Sequence, residues 1–183
     1  MRARAVLGST LAVLALIAGT ASAAATGSGS GAQAPDNLAA LRASTDAFHS
    51  IAVAEQLGYT LLQDVNGIAC IDMPGTGGMG VHWANGPLVG DPAIAAGRPE
   101  ALVYAPMPDG TLQLAAVEYV VIKSAWDARH HHPPALFGHD FTVTPAPNRF
   151  GLPAFYSLHV WAWAQNPAGT FEMWNPRVVC PGG

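Results

Sequence analysis

Residues 155–176, which read FYSLHVWAWAQNPAGTFEMWNP, constrain the fold more than any other stretch of the chain. They include three of the five tryptophans: Trp161, Trp163 and Trp174. The pattern predicts a buried strand over 155–164, a turn over 166–169 and a second aromatic segment over 171–174. His159 stands among these apolar side chains, and burying a polar ring without a partner is costly. The stretch therefore predicts a core strand that carries a polar group in need of a partner.

The N-terminus has the order of a secretory signal peptide. Arg2 and Arg4 precede a short apolar run over 6–18, and Ala21-Ser22-Ala23 follows as a small-residue cleavage site. We expect residues 1–23 to be removed and the protein to be secreted. The alternative is a retained membrane anchor, but the apolar run is short for a membrane-spanning helix.

The mature chain is predicted to be one acidic domain. The full sequence has 8 Lys+Arg and 12 Asp+Glu, and cleavage removes Arg2 and Arg4, which leaves 6 positive residues against 12 negative ones. An acidic surface disfavours nucleic acid and anionic membranes as partners, and no other stretch is long and apolar enough to span a bilayer. Residues 24–35 are rich in small residues and predict a flexible leader, which leaves a single globular domain over 36–183.

The two cysteines, Cys70 and Cys180, predict a disulfide bond because an even count in an exported protein indicates a bridge. The alternative is a cysteine metal site. Neither cysteine has a neighbouring Cys or His at metal-ligand spacing, so the disulfide is favoured.

Strand patterns dominate the rest of the chain after one N-terminal helix. That helix is predicted to run from Asp36 to Gly58, with one stripe at three- and four-residue spacing: Leu38, Leu41, Thr45, Phe48, Ala52 and Glu55. Asn66-Gly67 predicts a hairpin between residues 59–65 and 68–71. Further elements follow: a glycine-rich loop over 74–80, a hairpin of 101–105 with 111–123, a loop over 124–138, a short strand over 141–144 and a last strand over 177–180.

These elements predict an α+β fold, with a β-rich antiparallel barrel or sandwich and the N-terminal helix packed on it. The strand over 111–123 alternates between two faces. One face carries a single acid among apolar residues: Leu112, Leu114, Ala116, Glu118, Val120 and Ile122. The other, more solvent-exposed face is predicted to carry Gln113, Tyr119 and Lys123.

The candidate functional residues are His82, Glu118 and His159, each flanked by apolar residues in a predicted strand or strand edge. Two imidazoles and one carboxylate form a ligand set for a divalent metal such as Zn, Fe or Cu. Water or His139 is expected in the fourth position. The alternative is a structural network in which each of the three finds a hydrogen-bond partner.

Two other groups of residues predict weaker metal chemistry. The tract His130–His132 lies in a proline-bounded loop and is expected to be exposed, where such tracts can bind metals loosely. Methionines together with histidines favour copper outside the cytosol, although core filling is their commoner role. The methionines in question are Met73, Met79, Met107 and Met173.

Several ordered motifs resemble a group of secreted bacterial proteins of unassigned function. They are Met79-Gly80-Val81-His82-Trp83, Ala116-Val117-Glu118-Tyr119, Leu158-His159-Val160-Trp161 and the segment from Asn166-Pro167 to Asn175-Pro176. The resemblance covers nearly all of the mature chain, and it implies that the two histidines and the glutamate belong to a shared pattern. The cupin barrel is a more distant analogy, because the residue two after His82 is Ala84 rather than a second histidine.

The sequence thus predicts an exported protein with a divalent-metal site in a β-rich core, and it does not specify a reaction. If the protein is an enzyme, the expected nucleophile is a water molecule activated by the metal. One alternative is a binding module for a small molecule, with a pocket lined by tryptophans: Trp83, Trp126, Trp161, Trp163 and Trp174. Another is a structural protein of the cell envelope.

Overall fold

A computed structural model describes residues 33–181 of the chain. The predicted signal peptide, residues 1–23, and most of the predicted leader lie outside the described residues. The helices are α1 (Gln33–Thr45), α2 (Ile51–Gln56), α3 (Gly86–Val89) and α4 (Lys123–Asp127), and a 3-10 turn spans Asp46–His49. The strands are β1 (Thr60–Leu61), β2 (Cys70–Met73), β3 (Gly77–Ala84), β4 (Ala101–Pro106), β5 (Leu112–Ile122), β6 (Ala135–Leu136), β7 (His139–Asp140), β8 (Thr142–Thr144) and β9 (Phe155–Val160).

The main sheet is antiparallel and has the strand order β1-β3-β4-β5-β9-β8, with β2 also paired to β3. A separate two-stranded sheet joins β6 and β7. The α+β prediction is confirmed, and so is the hairpin of β4 with β5. The barrel alternative is wrong, because the sheet of the described residues stays open between β1 and β8. No helix among these residues is long and apolar enough to cross a membrane.

The predicted N-terminal helix is broken near Ser50. Leu41, Thr45 and Phe48 are buried as the stripe predicts, but Ala52 and Glu55 are exposed and Ala54 is buried instead. The 3-10 turn has three residues per turn, and Ser50 is extended (φ −96°, ψ 112°). The buried positions of α2 therefore do not continue the three- and four-residue spacing of α1.

The side of the sheet that these helical residues contact holds the larger hydrophobic core. Leu41 and Phe48 belong to one buried cluster with sheet residues such as Val117 and Val160. The Tyr104 hydroxyl donates to the Phe48 carbonyl at 2.8 Å. Hydrophobic burial and a buried hydrogen bond therefore join the 3-10 turn to the sheet.

A bulge changes which face the residues of β5 occupy. Val103 pairs with Ala116 and Tyr104 pairs with Leu114, so Ala115 is left without a partner in β4. Leu114 consequently lies in the larger core, on the other side from Ala116. The predicted face was wrong for Leu114, and the predicted solvent-exposed face was wrong for Tyr119, which is fully buried.

The segment over 59–71 does not form the predicted hairpin. The strands β1 and β2 both pair with β3, and they do not pair with each other. The turn itself is present, because the Asp64 carboxylate accepts hydrogen bonds from the backbone N–H groups of Asn66 and Ile68. The predicted turn is therefore present, but the strands on either side of it pair with β3 instead of with each other.

The C-terminal segment lies directly on the glycines of β3. The predicted glycine-rich loop over 74–80 was wrong for its second half, because β3 begins at Gly77. Gly78 forms an isolated bridge with Asn175. The predicted strand over 177–180 is wrong, since the described residues there form no strand. The predicted disulfide is confirmed: Cys70 in β2 is bonded to Cys180.

Candidate functional site

The three candidate ligands lie on one face of the sheet, opposite the larger core. His82 comes from β3, Glu118 from β5 and His159 from β9. Glu118 is directly opposite both His159 and Ala101, while His82 is opposite Val103. The sheet register therefore brings together residues that are far apart in sequence, and the small Ala101 leaves room for side chains to meet across β4.

The closest contact within this group joins His82 to Glu118. The His82 Nε2 atom lies 3.4 Å from Glu118 Oε2. This separation is long for a hydrogen bond, and the nitrogen has no hydrogen-bond partner by geometry. The His82 and His159 rings are nearly perpendicular, at 71°, with their centroids 5.9 Å apart.

The whole group is buried. His82 is 1% exposed, His159 3% and Glu118 8%. The Trp161 ring lies 4.7 Å from the His159 ring and donates its indole N–H to the carbonyl of Glu172 in the C-terminal segment. Aromatic packing and the C-terminal segment therefore help to exclude solvent from the histidines.

Both ring nitrogens of His82 and both of His159 are buried without a hydrogen-bond partner among the described residues. Buried polar groups in native proteins nearly always have a partner, and an exception commonly marks a functional group, a water or an ion. Four such atoms lie on two neighbouring rings, and the nearest polar contact among them is the 3.4 Å separation of His82 Nε2 from Glu118 Oε2.

The electrostatics of the group reflect burial and mutual proximity. Burial by itself would raise the pKa of Glu118, but the nearby His82, His159 and the Ser157 hydroxyl outweigh it and hold this pKa below its ordinary value. Burial lowers the pKa of His159 to about 4, even though Glu118 acts in the opposite direction. The site therefore favours an ionised carboxylate beside a neutral His159 ring at neutral pH.

Two cavities adjoin the group. One of about 370 Å³ is bordered by Glu118, Met173 and Trp174, and the other, of about 480 Å³, is bordered by His159 and His139. Ser157 and Met173 border both cavities. Glu118 and His159 therefore each border a cavity, while His82 borders neither of the two.

Ser157 is a site residue that sequence reasoning missed. It is 2% exposed and lies on β9 two residues before His159, so both side chains are on the same face. The serine has no motif context, and strand alternation from His159 was the signal that could have found it.

The other predicted histidines lie away from the buried group. His139 is exposed and stacks on Phe171 at a centroid distance of 3.8 Å, although it borders the same cavity as His159. The tract His130–His132 is exposed, with the His130 ring stacked on Trp126. His139 is thus beside the cavity but is not part of the buried cluster.

The five tryptophans occupy different surroundings. Trp83 packs against Tyr104, and Trp126 packs against a loop histidine. Trp161 adjoins His159, while Trp163 and Trp174 border separate cavities. The structure therefore does not gather them around one pocket.

Within residues 33–181, no group of three or more His, Cys, Asp or Glu side chains already has the geometry to hold a metal ion. Comparison with protein-family models, curated proteins and solved structures gives no match. The resemblance to secreted bacterial proteins therefore stays a prediction, and the site must be interpreted from its own geometry.

Proposed function

We propose that this protein binds a transition-metal ion between His82, Glu118 and His159. The observation that supports the proposal is the burial of four imidazole nitrogens without hydrogen-bond partners, next to a buried carboxylate. A bound cation would coordinate one nitrogen of each ring and neutralise the carboxylate, and both effects reduce the cost of burial.

The distances suit such an ion. Two donor atoms that share a tetrahedral metal at about 2.1 Å are themselves about 3.4 Å apart. The His82 Nε2 and Glu118 Oε2 atoms are separated by 3.4 Å. The carboxylate and the first imidazole are therefore spaced like two ligands of one metal.

His159 needs a modest rearrangement to join them. Two imidazoles on one tetrahedral metal have ring centroids about 5 Å apart, against the 5.9 Å between His82 and His159. A small rotation of the side chains would close this gap, which explains how a site can form where none is preformed. In the proposed centre, water would fill a fourth position, or His139 would do so after movement of its loop.

The open position indicates what the site can do. Metal-bound water is a nucleophile at neutral pH, so hydrolysis is the reaction class that such a centre would support. We also propose that the protein acts outside the cytosol, because a disulfide such as Cys70–Cys180 persists in oxidising compartments.

Two other functions have weaker support. A purely structural network would be expected to satisfy its polar atoms, and the imidazole nitrogens are unsatisfied. A binding module for a small apolar molecule is favoured by one observation, the cavity of about 760 Å³ bordered by Trp163, Leu114 and Met107. That cavity does not adjoin the histidines, so the two functions can be tested separately.

Metal content of the mature chain, expressed without a histidine tag, tests the proposal. After dialysis against Zn²⁺ or Co²⁺ and removal of free ions, we expect about one bound ion per chain by elemental analysis. His159→Gln and His82→Gln, which keep a polar side chain of similar size, should lose most of it.

His131→Ala is the matched control, since it removes an exposed imidazole from the loop tract. Thermal unfolding of each variant confirms that it is folded. A wild-type chain without stoichiometric metal, or the same metal content in all variants, would overturn the proposal.

A further inference from the structure

The cavity of about 480 Å³ that His159 borders has charged residues of one sign around it. The described residues that border it include the exposed Asp140 and Glu172, and none of them is Lys or Arg. Neither carboxylate forms a salt bridge with a described basic side chain. A cleft bordered by charges of one sign raises the local concentration of ions of the opposite sign. These two acids therefore favour a positively charged ligand.

Contacts with a nearby turn place the Glu172 side chain at this cavity. A Cβ atom at Gly169 would lie 3.0 Å from Glu172 Cγ, so the glutamate side chain lies over Gly169, which borders the same cavity. The Glu172 backbone N–H donates to the Gly169 carbonyl at 3.3 Å. The Glu172 carbonyl accepts the indole N–H of Trp161 at 2.6 Å. Backbone hydrogen bonds thus hold the acid in position on both sides.

His159 gives the cavity a buried polar group without a partner. The residue is 3% exposed, and neither ring nitrogen has a hydrogen-bond partner among the described residues. A metal ion would bind only one of these nitrogens, and a metal-bound imidazole normally donates its other N–H to an acceptor. Because His159 borders the cavity, an oxygen of a ligand there would supply that acceptor.

The rest of the border combines hydroxyl groups with apolar surface. The hydroxyl-bearing residues are Thr142, Ser157 and Thr170, and the apolar ones include Leu158, Phe171 and Met173. Hydroxyl groups both donate and accept hydrogen bonds, so they suit a ligand that itself carries hydroxyl groups. The cavity volume lies within the range of about 300–1,000 Å³ that small-molecule sites have. The border therefore favours an organic molecule over a bare metal ion.

We propose that this cavity binds a small hydroxylated organic cation of the amino sugar class. Its ammonium group lies beside Glu172 and Asp140, and one of its hydroxyl groups bonds to His159. The inference goes beyond the proposed function, which assigns no organic ligand to the cavity. It does not depend on the metal, because neither of the two acids is a proposed metal ligand.

Titration of the ¹⁵N-labelled mature chain with D-glucosamine, followed by the NMR shifts of its amide groups, measures the binding and locates it. The titration is done with EDTA present and below pH 7, so that metal is excluded and the amine is protonated. D-glucose is the matched ligand, since it has a hydroxyl in place of the ammonium group. We expect glucosamine to shift the amide signals of residues 169–173 and to bind at least about fivefold more tightly than glucose.

Glu172→Gln should weaken glucosamine binding by about threefold to fivefold and leave glucose binding unchanged. The double variant Asp140→Asn/Glu172→Gln should remove the preference for glucosamine. Both acids are exposed, so the fold should persist, and thermal unfolding confirms that it does. Glu55→Gln is the control, because it removes one negative charge from α2, which does not border the cavity.

Three outcomes would overturn the inference: no binding of glucosamine, equal affinity of the wild type for the two sugars, or the same loss of affinity in Glu55→Gln as in Glu172→Gln. The metal content of the same preparation before EDTA treatment is measured separately. A chain that binds glucosamine but no metal would overturn the proposed function and leave this inference standing. A chain that binds metal but shows no preference for glucosamine would do the reverse.

Discussion

At the scale of single residues, Glu100 is a second buried carboxyl group, on the strand connection before β4. It is 2% exposed, and its Oε2 atom accepts a hydrogen bond from the Val120 N–H at 3.1 Å. Burial raises the pKa of Glu100 from 4.5 to about 7, while Arg98 and Asp91 act in opposite directions. The carboxyl is therefore harder to ionise in the folded protein than in the unfolded chain.

This difference predicts a pH-dependent stability. A raised folded-state pKa contributes stability below about pH 4.5 that is lost as the pH rises through about 7. Glu100→Gln keeps an acceptor for Val120 and cannot ionise. We expect the variant to match the wild type near pH 4.5 and to exceed it by about 2–3 kcal/mol in unfolding free energy at pH 8.

Urea unfolding of both proteins from pH 4.5 to 8 measures this difference. Glu55→Gln, on the exposed side of α2, controls for the loss of one negative charge. A difference between wild type and Glu100→Gln that stays constant with pH would contradict the argument.

The sequence identified some of the candidate site residues and missed others. His82, Glu118 and His159 were identified because a polar residue among apolar strand residues needs a partner. Ser157 was not, and neither was the buried Glu100 outside the site, since a serine is common in strands and Glu100 follows a proline in an irregular stretch. Their burial depends on which elements cover them, and local sequence does not encode that.

At the scale of elements, β3 is organised by the close approach of the C-terminal segment. A Cβ atom at Gly78 would lie 2.8 Å from Val178 Cγ1 and 2.9 Å from the Val178 carbonyl oxygen. The neighbouring Gly77 has φ +125°, and its Cβ would lie 2.2 Å from the Asn175 oxygen. Glycine is therefore required for backbone contact, rather than for loop flexibility.

We expect Gly78→Ala to lower the unfolding free energy by about 1–3 kcal/mol through overpacking against Val178. Chemical denaturation provides the measurement. Gly86→Ala is the matched control, because a Cβ there meets nothing within 4 Å. If the two variants were equally stable, the C-terminal segment would not be held against β3 as described.

The contact between the C-terminal segment and β3 also explains why the glycines of β3 were predicted to form a loop. A run of glycines reads as a loop because it lacks side chains to pack. In β3 the glycines instead admit another backbone, and that partner is about 100 residues away in sequence. The β4–β5 hairpin was predicted correctly because its Asp109-Gly110 turn and its strands are adjacent.

At the scale of the whole molecule, the disulfide holds the C-terminal segment across the face that carries the candidate site. Cys70 and Cys180 are 110 residues apart and close a long loop. In the chain-entropy account, such a cross-link stabilises the folded state by about 4–5 kcal/mol, because it restricts the unfolded chain.

We expect the double variant Cys70→Ser/Cys180→Ser to lose about that unfolding free energy and to bind metal more weakly, since the cover over His159 loosens. Thermal unfolding with and without a reductant measures the first effect. The reductant should lower the midpoint of the wild type and leave the serine variant unchanged. An unchanged wild-type midpoint would show that the bridge contributes little.

The sequence by itself determined the α+β class, the β4–β5 hairpin, the disulfide and the identity of the polar residues in apolar strands. These features follow from local turn chemistry, strand alternation and cysteine count. Only the tertiary structure decided that β1 and β2 share the β3 edge, that the β5 bulge moves Leu114 to the opposite face, and that Met173 borders the cavities of both Glu118 and His159. Each of these depends on contacts between distant segments, and strand pairing and packing across a sheet have no signature in local sequence.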